Sequence, residues 1–365
     1  MPYDRLLPTL AIALALTAWA GAQAPDAARN PSAAGQAKAA AKVPRTEAEK
    51  AAEAVIDEAI DKLKAVTSVR AQLLETVEML GQSFAIQGTY LRAPSNRFRM
   101  NLSVVRLGDA KGTMIQVCDG KYLIEFQQVL EVQACERTDI SQVLGKLNDS
   151  HFDPEIREQL QAQLGLAGPD ALLRGLRKLI RFDQKKSDVL DNHDVWVLRG
   201  EWSDPSTLNL PGVGALPAKG PLPPFVPSRV TLWLGKGDGW PYQVEFKGMT
   251  RSILETAPPE KKAAGTPALP PVAASDRPTR IVLSYTGVEF GLTDKDIGRD
   301  EFKFQPPQGV QIFDRTAQDV ARIEGILRAL DDRKKAEAAQ GKGAEPGPGG
   351  ELPSVDVPKS ATPPR

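Results

Sequence analysis

The hydrophobic pattern changes period several times along the chain. From Thr46, apolar positions Ala51, Val55, Ala59 and Leu63, joined by Ile56 and Ile60, recur at helical spacing and predict an amphipathic helix to about Val66. Thr46 followed by Glu49 marks its start, because each side chain satisfies a free backbone N–H of the first turn. From Ser68 to Thr138 the period becomes two. Arg70 to Met79, Phe84 to Leu91, Arg97 to Leu102, Met114 to Cys118, Tyr122 to Phe126 and Val129 to Cys135 read as short strands. They are punctuated by Gly81, by Pro94-Ser95-Asn96 and by Asp119-Gly120, a turn that tolerates positive φ. This is an antiparallel meander with a helix against it.

Between Ile140 and Asp183 the helical period returns. Pro154-Glu155-Ile156 opens one helix, with Ile156, Leu160 and Leu164 on a single face. Pro169-Asp170 opens another, with Leu172, Leu173, Leu176, Leu179 and Ile180 apolar and Arg174, Arg177, Lys178 and Arg181 opposite, a basic face read as solvated. Strands resume at Asp194 to Glu201, Arg229 to Leu234, Tyr242 to Lys247, Arg280 to Tyr285 and Glu301 to Phe304. Proline-rich stretches, Pro205 to Pro227 and Pro258 to Pro278, read as surface excursions between strands. A last helix, Thr316 to Lys335, carries Val320, Ile323 and Leu327 on one side, followed by Leu330. Strand runs on both sides of a helical insertion predict one domain over residues 46–316, followed by a C-terminal helix over 317–338.

The ends read differently. Leu6 to Ala22 is an apolar run that closes on small residues and predicts a cleaved secretory signal over residues 1–22. Residues 23–45 are an Ala-rich linker, and 339–365 are too rich in Pro and Gly to bury a core. The mature chain is expected to be exported, soluble and without an integral membrane segment. With 46 basic and 46 acidic residues the formal charge is zero, which speaks against a nucleic-acid partner. Two Cys and two His leave little for a metal site or a catalytic dyad, and no nucleophile-elbow or zinc-protease motif is present. His151 and His193 have no ligand-type neighbours at suitable spacing. An enzyme is not expected, and no cofactor is implied. Cys118 and Cys135 in an exported protein invite a disulfide. The meander separates them by a third strand, about 9–10 Å, against a limit of roughly 7 Å between Cα atoms, unless a bulge brings them closer.

Three segments carry a resemblance. Gly88-Thr89-Tyr90-Leu91-Arg92-Ala93-Pro94-Ser95-Asn96-Arg97-Phe98-Arg99, Asp119-Gly120-Lys121-Tyr122-Leu123 and Phe302-Lys303-Phe304-Gln305-Pro306-Pro307-Gln308-Gly309-Val310 resemble the strand-turn-strand, the hairpin and the closing turn of the periplasmic outer-membrane lipoprotein carrier (LolA-like) family. The resemblance implies an α+β fold, a strongly curved antiparallel sheet forming an incomplete β-barrel with covering helices. It also implies a non-enzymatic carrier that binds lipid or lipoprotein acyl chains in an apolar cavity, for transfer toward the outer membrane. An envelope interaction or stress-sensing module that binds a protein partner is the alternative on the same fold. Cavity candidates chosen by alternation are Phe84, Ile86, Leu102, Trp196, Leu198, Trp233, Val244, Phe246 and Leu283, although alternation does not say which set faces inward. By resemblance, Arg92 is the candidate polar latch or head-group contact. The family places an arginine directly before the motif's proline. Here Ala93 stands there, and a one-residue offset moves a strand side chain to the other face.

Overall fold

A computed structural model of the chain describes residues 45–79, 81–106, 112–148, 157–158, 160–161, 168–207, 216–218, 222–223, 226–248 and 278–341. The expected signal peptide, the linker to residue 44, most of the two proline-rich stretches and the tail from 342 lie outside the described residues. So do His151 and, in the helix expected from Pro154, both Ile156 and Leu164. In chain order the elements are α1 (Glu47–Ala65), β1 (Val69–Met79), β2 (Gln82–Ala93), β3 (Arg97–Val105), β4 (Gly112–Asp119), β5 (Tyr122–Val129) and β6 (Val132–Asp139). Then come α2 (Ile140–Leu147), α3 (Pro169–Leu179), β7 (Ile180–Leu190), β8 (His193–Trp202), β9 (Arg229–Gly235), β10 (Pro241–Lys247), β11 (Arg280–Phe290), β12 (Ile312–Asp314) and α4 (Thr316–Gly341). Two compact units result: residues up to Ile323 hold the sheet, and residues from Glu324 form the second, helical to Gly341.

α1 begins where the capping pair places it. Glu49 N donates to Thr46 Oγ1 (3.2 Å), and Thr46 N donates back to Glu49 Oε2 (2.7 Å). The buried stripe is Ala52, Val55, Ile56, Ala59, Ile60 and Leu63, with Ala51 exposed. The fold is α+β. Twelve strands form one sheet in the order β12-β6-β5-β4-β3-β2-β1-β11-β10-β9-β8-β7. Neighbours pair antiparallel except β12, which runs parallel to β6. β1 lies between β2 and β11, so a contact some two hundred residues apart in sequence joins the two meanders. α2 starts at Asp139, whose carboxylate accepts from Ser141 N (3.0 Å) and Gln142 N (3.3 Å). The start of α4 is tied to β6: Asp139 N donates to Thr316 Oγ1 (2.8 Å) and Thr138 Oγ1 to Asp319 Oδ2 (3.0 Å).

Two expectations are corrected. The helix over Pro169 stops at Leu179, and Ile180 begins the edge strand β7. From Gln184 to Val189 this strand is exposed on both faces, so it carries no alternation that would announce it. Glu301 to Phe304 is not a strand. This segment crosses the back of the sheet, where Phe302 and Ile297 bury Leu91, Ala93 and Val117, and Phe304 lies 5.6 Å from Phe126. Its carbonyls are satisfied by a side chain instead of a ladder. Arg99 Nη1 donates to Glu301 O (3.0 Å) and Lys303 O (3.2 Å).

Candidate functional site

Strand register sorts the expected cavity residues, because directly paired residues point to the same face. Ile86, Glu75, Leu283, Val244, Leu232 and Leu198 form one unbroken rung across β2, β1, β11, β10, β9 and β8. The adjacent rung holds Phe84, Val77, Ile281, Phe246, Val230 and Gly200. Leu102 pairs with Gly88, Arg92 with Val69, and Trp196 with Leu234, all on that face. Trp233 pairs with Val197 and Gln243 and therefore lies on the opposite face. Nine of the ten candidates thus share one surface, and Trp233 does not. α1 and α3 join the cluster through Ala52, Ile56 and Leu63 and through Leu173 and Leu176. Arg177 of α3 holds α1 by donating to Glu53 Oε2 (2.9 Å) and Asp57 Oδ1 (3.2 Å), and Arg181 pairs with Glu49.

Within this apolar surface sits an acid that alternation did not single out. Glu75 is 2% exposed. Burial alone pushes its carboxyl up to about 8. At neutral pH it is therefore mostly the uncharged acid. The signal was present in the sequence: Val69, Ala71, Leu73, Glu75, Val77 and Met79 form the inward phase of β1, with one acid among five apolar residues. Tyr285, paired with Leu73 on the next rung, has its phenol raised by burial first and then by Tyr90 and Glu75. Burial also pushes Tyr90 up to about 12. Trp240 packs edge-on to Tyr285 and to Phe290 (centroids 5.5 Å each), and its Nε1 is buried without an acceptor among the described residues.

A cavity of about 360 Å³ opens at the β2–β3 end of the face, lined by Tyr90, Arg92, Phe98, Met100, Gln116 and Lys64 among others. Arg92 shares the face of Tyr90 and Phe98, so its offset from the proline leaves it inward. Its Nη1 lies 4.0 Å from Asp170 Oδ1 in the first turn of α3. Gly168 permits that approach, since a Cβ there would stand 2.8 Å from Arg92 Nη1. A void of about 20 Å³, room for roughly one water, adjoins Ile86, Leu102, Val104 and Met114. Farther across, Gln116 Nε2 donates to Glu125 Oε1 (2.6 Å), and Arg315 pairs with Glu136 and stands 3.8 Å from Glu125. Burial is the leading cause that raises the Glu125 carboxyl.

The cysteines are not bridged. Cys118 faces the side of Phe98 and Leu123, whereas Cys135 pairs with Phe126, three residues along β5 from Leu123 and hence on the other face. That opposition separates Cys118 from Cys135 and leaves them without a disulfide. Burial pushes the Cys118 thiol up to about 11. His193 stacks on Tyr242 at 4.2 Å. Among the described residues no three His, Cys, Asp or Glu side chains come together in a metal-binding group.

No protein-family model matches the chain, and no curated protein sequence does. Among solved structures, LprF from Mycobacterium bovis is similar at 10% identity and TM-score 0.35, covering 67% of this chain and 95% of that one. The Pseudomonas aeruginosa MucA/MucB complex follows at 12% and 0.28, covering 70% and 67%. A LolA superfamily protein from Nitrosomonas europaea is similar at 12% and 0.22, covering 68% and 98%. Likenesses of this size decide neither ligand nor activity.

Proposed function

We propose that the protein is an exported, non-enzymatic carrier that holds lipid or the acyl chains of lipoproteins against the inner surface of a curved half-barrel. The observation that carries this reading is the continuous apolar face from β3 to β7, covered by α1 and α3 and opening into a cavity beside Arg92. Size supports the curvature. Eight flat strands at about 4.8 Å spacing would span roughly 34 Å, whereas two helices about 10 Å wide reach little more than half of that. One cluster nevertheless gathers Leu102 of β3 and Phe182 of β7. Gly88 and Gly200 support such coiling: a Cβ would fall 1.8 Å from Asn101 O and 2.4 Å from Arg181 O, the close backbone approach that a sharply bent strand requires.

Acyl chains leave water here without covalent chemistry, at roughly 0.8 kcal/mol per buried methylene. α3 serves as the lid, and Arg92 against Asp170 is its polar latch. No described helix is long and apolar enough to cross a membrane; export rests on the apolar run at residues 6–22. The alternative, an envelope module that docks a protein, has its own support in exposed Val132 (73%) and Phe313 (55%), on neighbouring β6 and β12.

The test is native mass spectrometry of the protein from its own envelope, followed by titration with a fluorescent fatty-acid probe. Co-purifying acyl species and saturable uptake are expected. Leu102→Glu, on the inner face, abolishes uptake, and Trp233→Glu, on the outer face, keeps it, with folding checked by circular dichroism. An empty protein that takes up no probe overturns the carrier reading.

A further inference from the structure

The cavity beside Arg92 is lined differently from the rest of the inner face. Lys64 at the end of α1 and Arg92 of β2 bring two cations to it, Thr67 adds a hydroxyl, and no carboxylate is among the described residues that line it. Arg97 lines it too, but its guanidinium is held elsewhere, by Pro94 O (3.1 Å), Asp294 (3.3 Å) and the Phe302 ring. Both remaining cations are weakly matched. Asp170 stands 4.0 Å from Arg92 Nη1, beyond hydrogen-bonding distance, and its other oxygen is bonded to Arg174 Nη1 at 2.9 Å. Lys64 pairs with Asp61 at 3.0 Å, where both side chains are more than half exposed and water screens the attraction. Beside these charges stands an apolar wall. Tyr90 pairs with Met100 and Arg92 with Phe98, so register places the three apolar side chains next to the guanidinium.

Two weakly matched cations over an apolar wall suit an anion that carries an organic body. A guanidinium fork meets the oxygens of a phosphate or a carboxylate through two parallel hydrogen bonds. Charge separates those two ligands. A monocarboxylate neutralises one cation and leaves the other, whereas a phosphate monoester carries roughly −1.5 to −2 at pH 7 and meets both. Size argues for more than the free ion, since about 360 Å³ lies within the roughly 300–1,000 Å³ of small-molecule sites. We infer that this cavity is a binding site for an organic phosphate monoester, whose phosphoryl oxygens engage Arg92 and Lys64 and whose organic part covers Tyr90, Phe98 and Met100. The site goes beyond the carrier reading, because it needs no hydrocarbon on the sheet face. The same chemistry is offered by a soluble ester and by a lipid head group. In either case the bound phosphate competes with Asp170 for Arg92.

The experiment is isothermal titration of the full-length protein at neutral pH with phenyl phosphate, with benzoate as the monoanion of similar body. Phenyl phosphate should bind about tenfold tighter than benzoate, and its affinity should fall as salt is raised. Arg92→Gln should weaken it at least about tenfold, the loss of charge-assisted hydrogen bonds, and Lys64→Gln about threefold. Asp170→Asn removes the competing carboxylate and should tighten binding about threefold. Lys303→Gln, at an exposed lysine outside the cavity, should change nothing. Lys64→Gln also keeps the test decisive if Arg92→Gln does not fold, because Lys64 is exposed. Phosphatidylcholine vesicles containing phosphatidic acid then identify the source. Displacement of phenyl phosphate assigns a lipid head group, and no displacement assigns a soluble ester; both support the site. Equal affinity for phenyl phosphate and benzoate overturns it, as does affinity unchanged by Lys64→Gln and Asp170→Asn. Failure of phenyl phosphate to bind overturns it as well, while fatty-acid uptake, measured separately, decides the carrier reading.

Discussion

Replacing Glu75 by Gln isolates the energetic consequence of burying a carboxyl at the centre of an apolar sheet face. Gln has the same shape and no charge to lose. In the unfolded chain Glu75 ionises near 4.5, whereas in the folded protein it holds its proton up to about 8. Between those values the native state binds one more proton than the unfolded state. Stability therefore falls as pH rises through that window and is level above it. At about 1.4 kcal/mol per pH unit, the full penalty is roughly 5 kcal/mol, to be treated as an upper figure. Urea denaturation of both proteins at intervals from about pH 4 to pH 9 measures it, and subtracting the two stability curves removes every other titrating group. The variant should be within about 1 kcal/mol of wild type at the acid end and about 3–5 kcal/mol more stable at the alkaline end. A difference curve without slope between pH 5 and 8 would refute the reasoning, because it would mean the carboxylate is solvated where it sits.

Other perturbations follow from the same geometry. Gly88→Ala places a methyl in the space occupied by Asn101 O and should destabilise by about 3 kcal/mol, read as a shift in urea midpoint. Alkylation in denaturant without reductant should add two labels per chain, and native protein should resist labelling at Cys118, whose thiol is buried and raised. A single intramolecular bridge, detected as no labels, would contradict the opposed faces. Arg177→Ala should cost about 1 kcal/mol at low salt and less in 1 M salt, and should speed probe release, because that side chain ties α3 to Glu53 and Asp57 of α1.

Local periodicity was legible residue by residue. The Thr46–Glu49 cap, the α1 stripe, the Asp119-Gly120 hairpin and most strands follow from neighbours in sequence, since helix and strand repeats depend on positions only a few residues apart. β7 was not legible, because an edge strand exposed on both faces has no apolar phase to display. The crossing of Phe302 and Phe304 behind β2–β5 was not legible either. An apolar pair separated by one residue reads as a strand whether it pairs with a neighbour or packs on a sheet's back.

The candidate site shows the same division. Alternation named Phe84, Ile86, Leu102, Leu198, Val244, Phe246 and Leu283, which share one face, together with Trp233, which lies on the other, because a strand buried on both faces, as Val197 and Leu198 show for β8, gives two apolar phases of equal standing. The helical and strand repeats sufficed for α1, for most strands of the two meanders and for their order along the chain. Strand pairing was needed to learn which phase α1 and α3 cover, that β11 returns to β1, that Cys118 and Cys135 oppose one another, and that Glu75 shares a rung with Ile86 and Leu283. Those outcomes depend on pairing between strands far apart in the chain, and a side chain's surroundings exist only once that register is set.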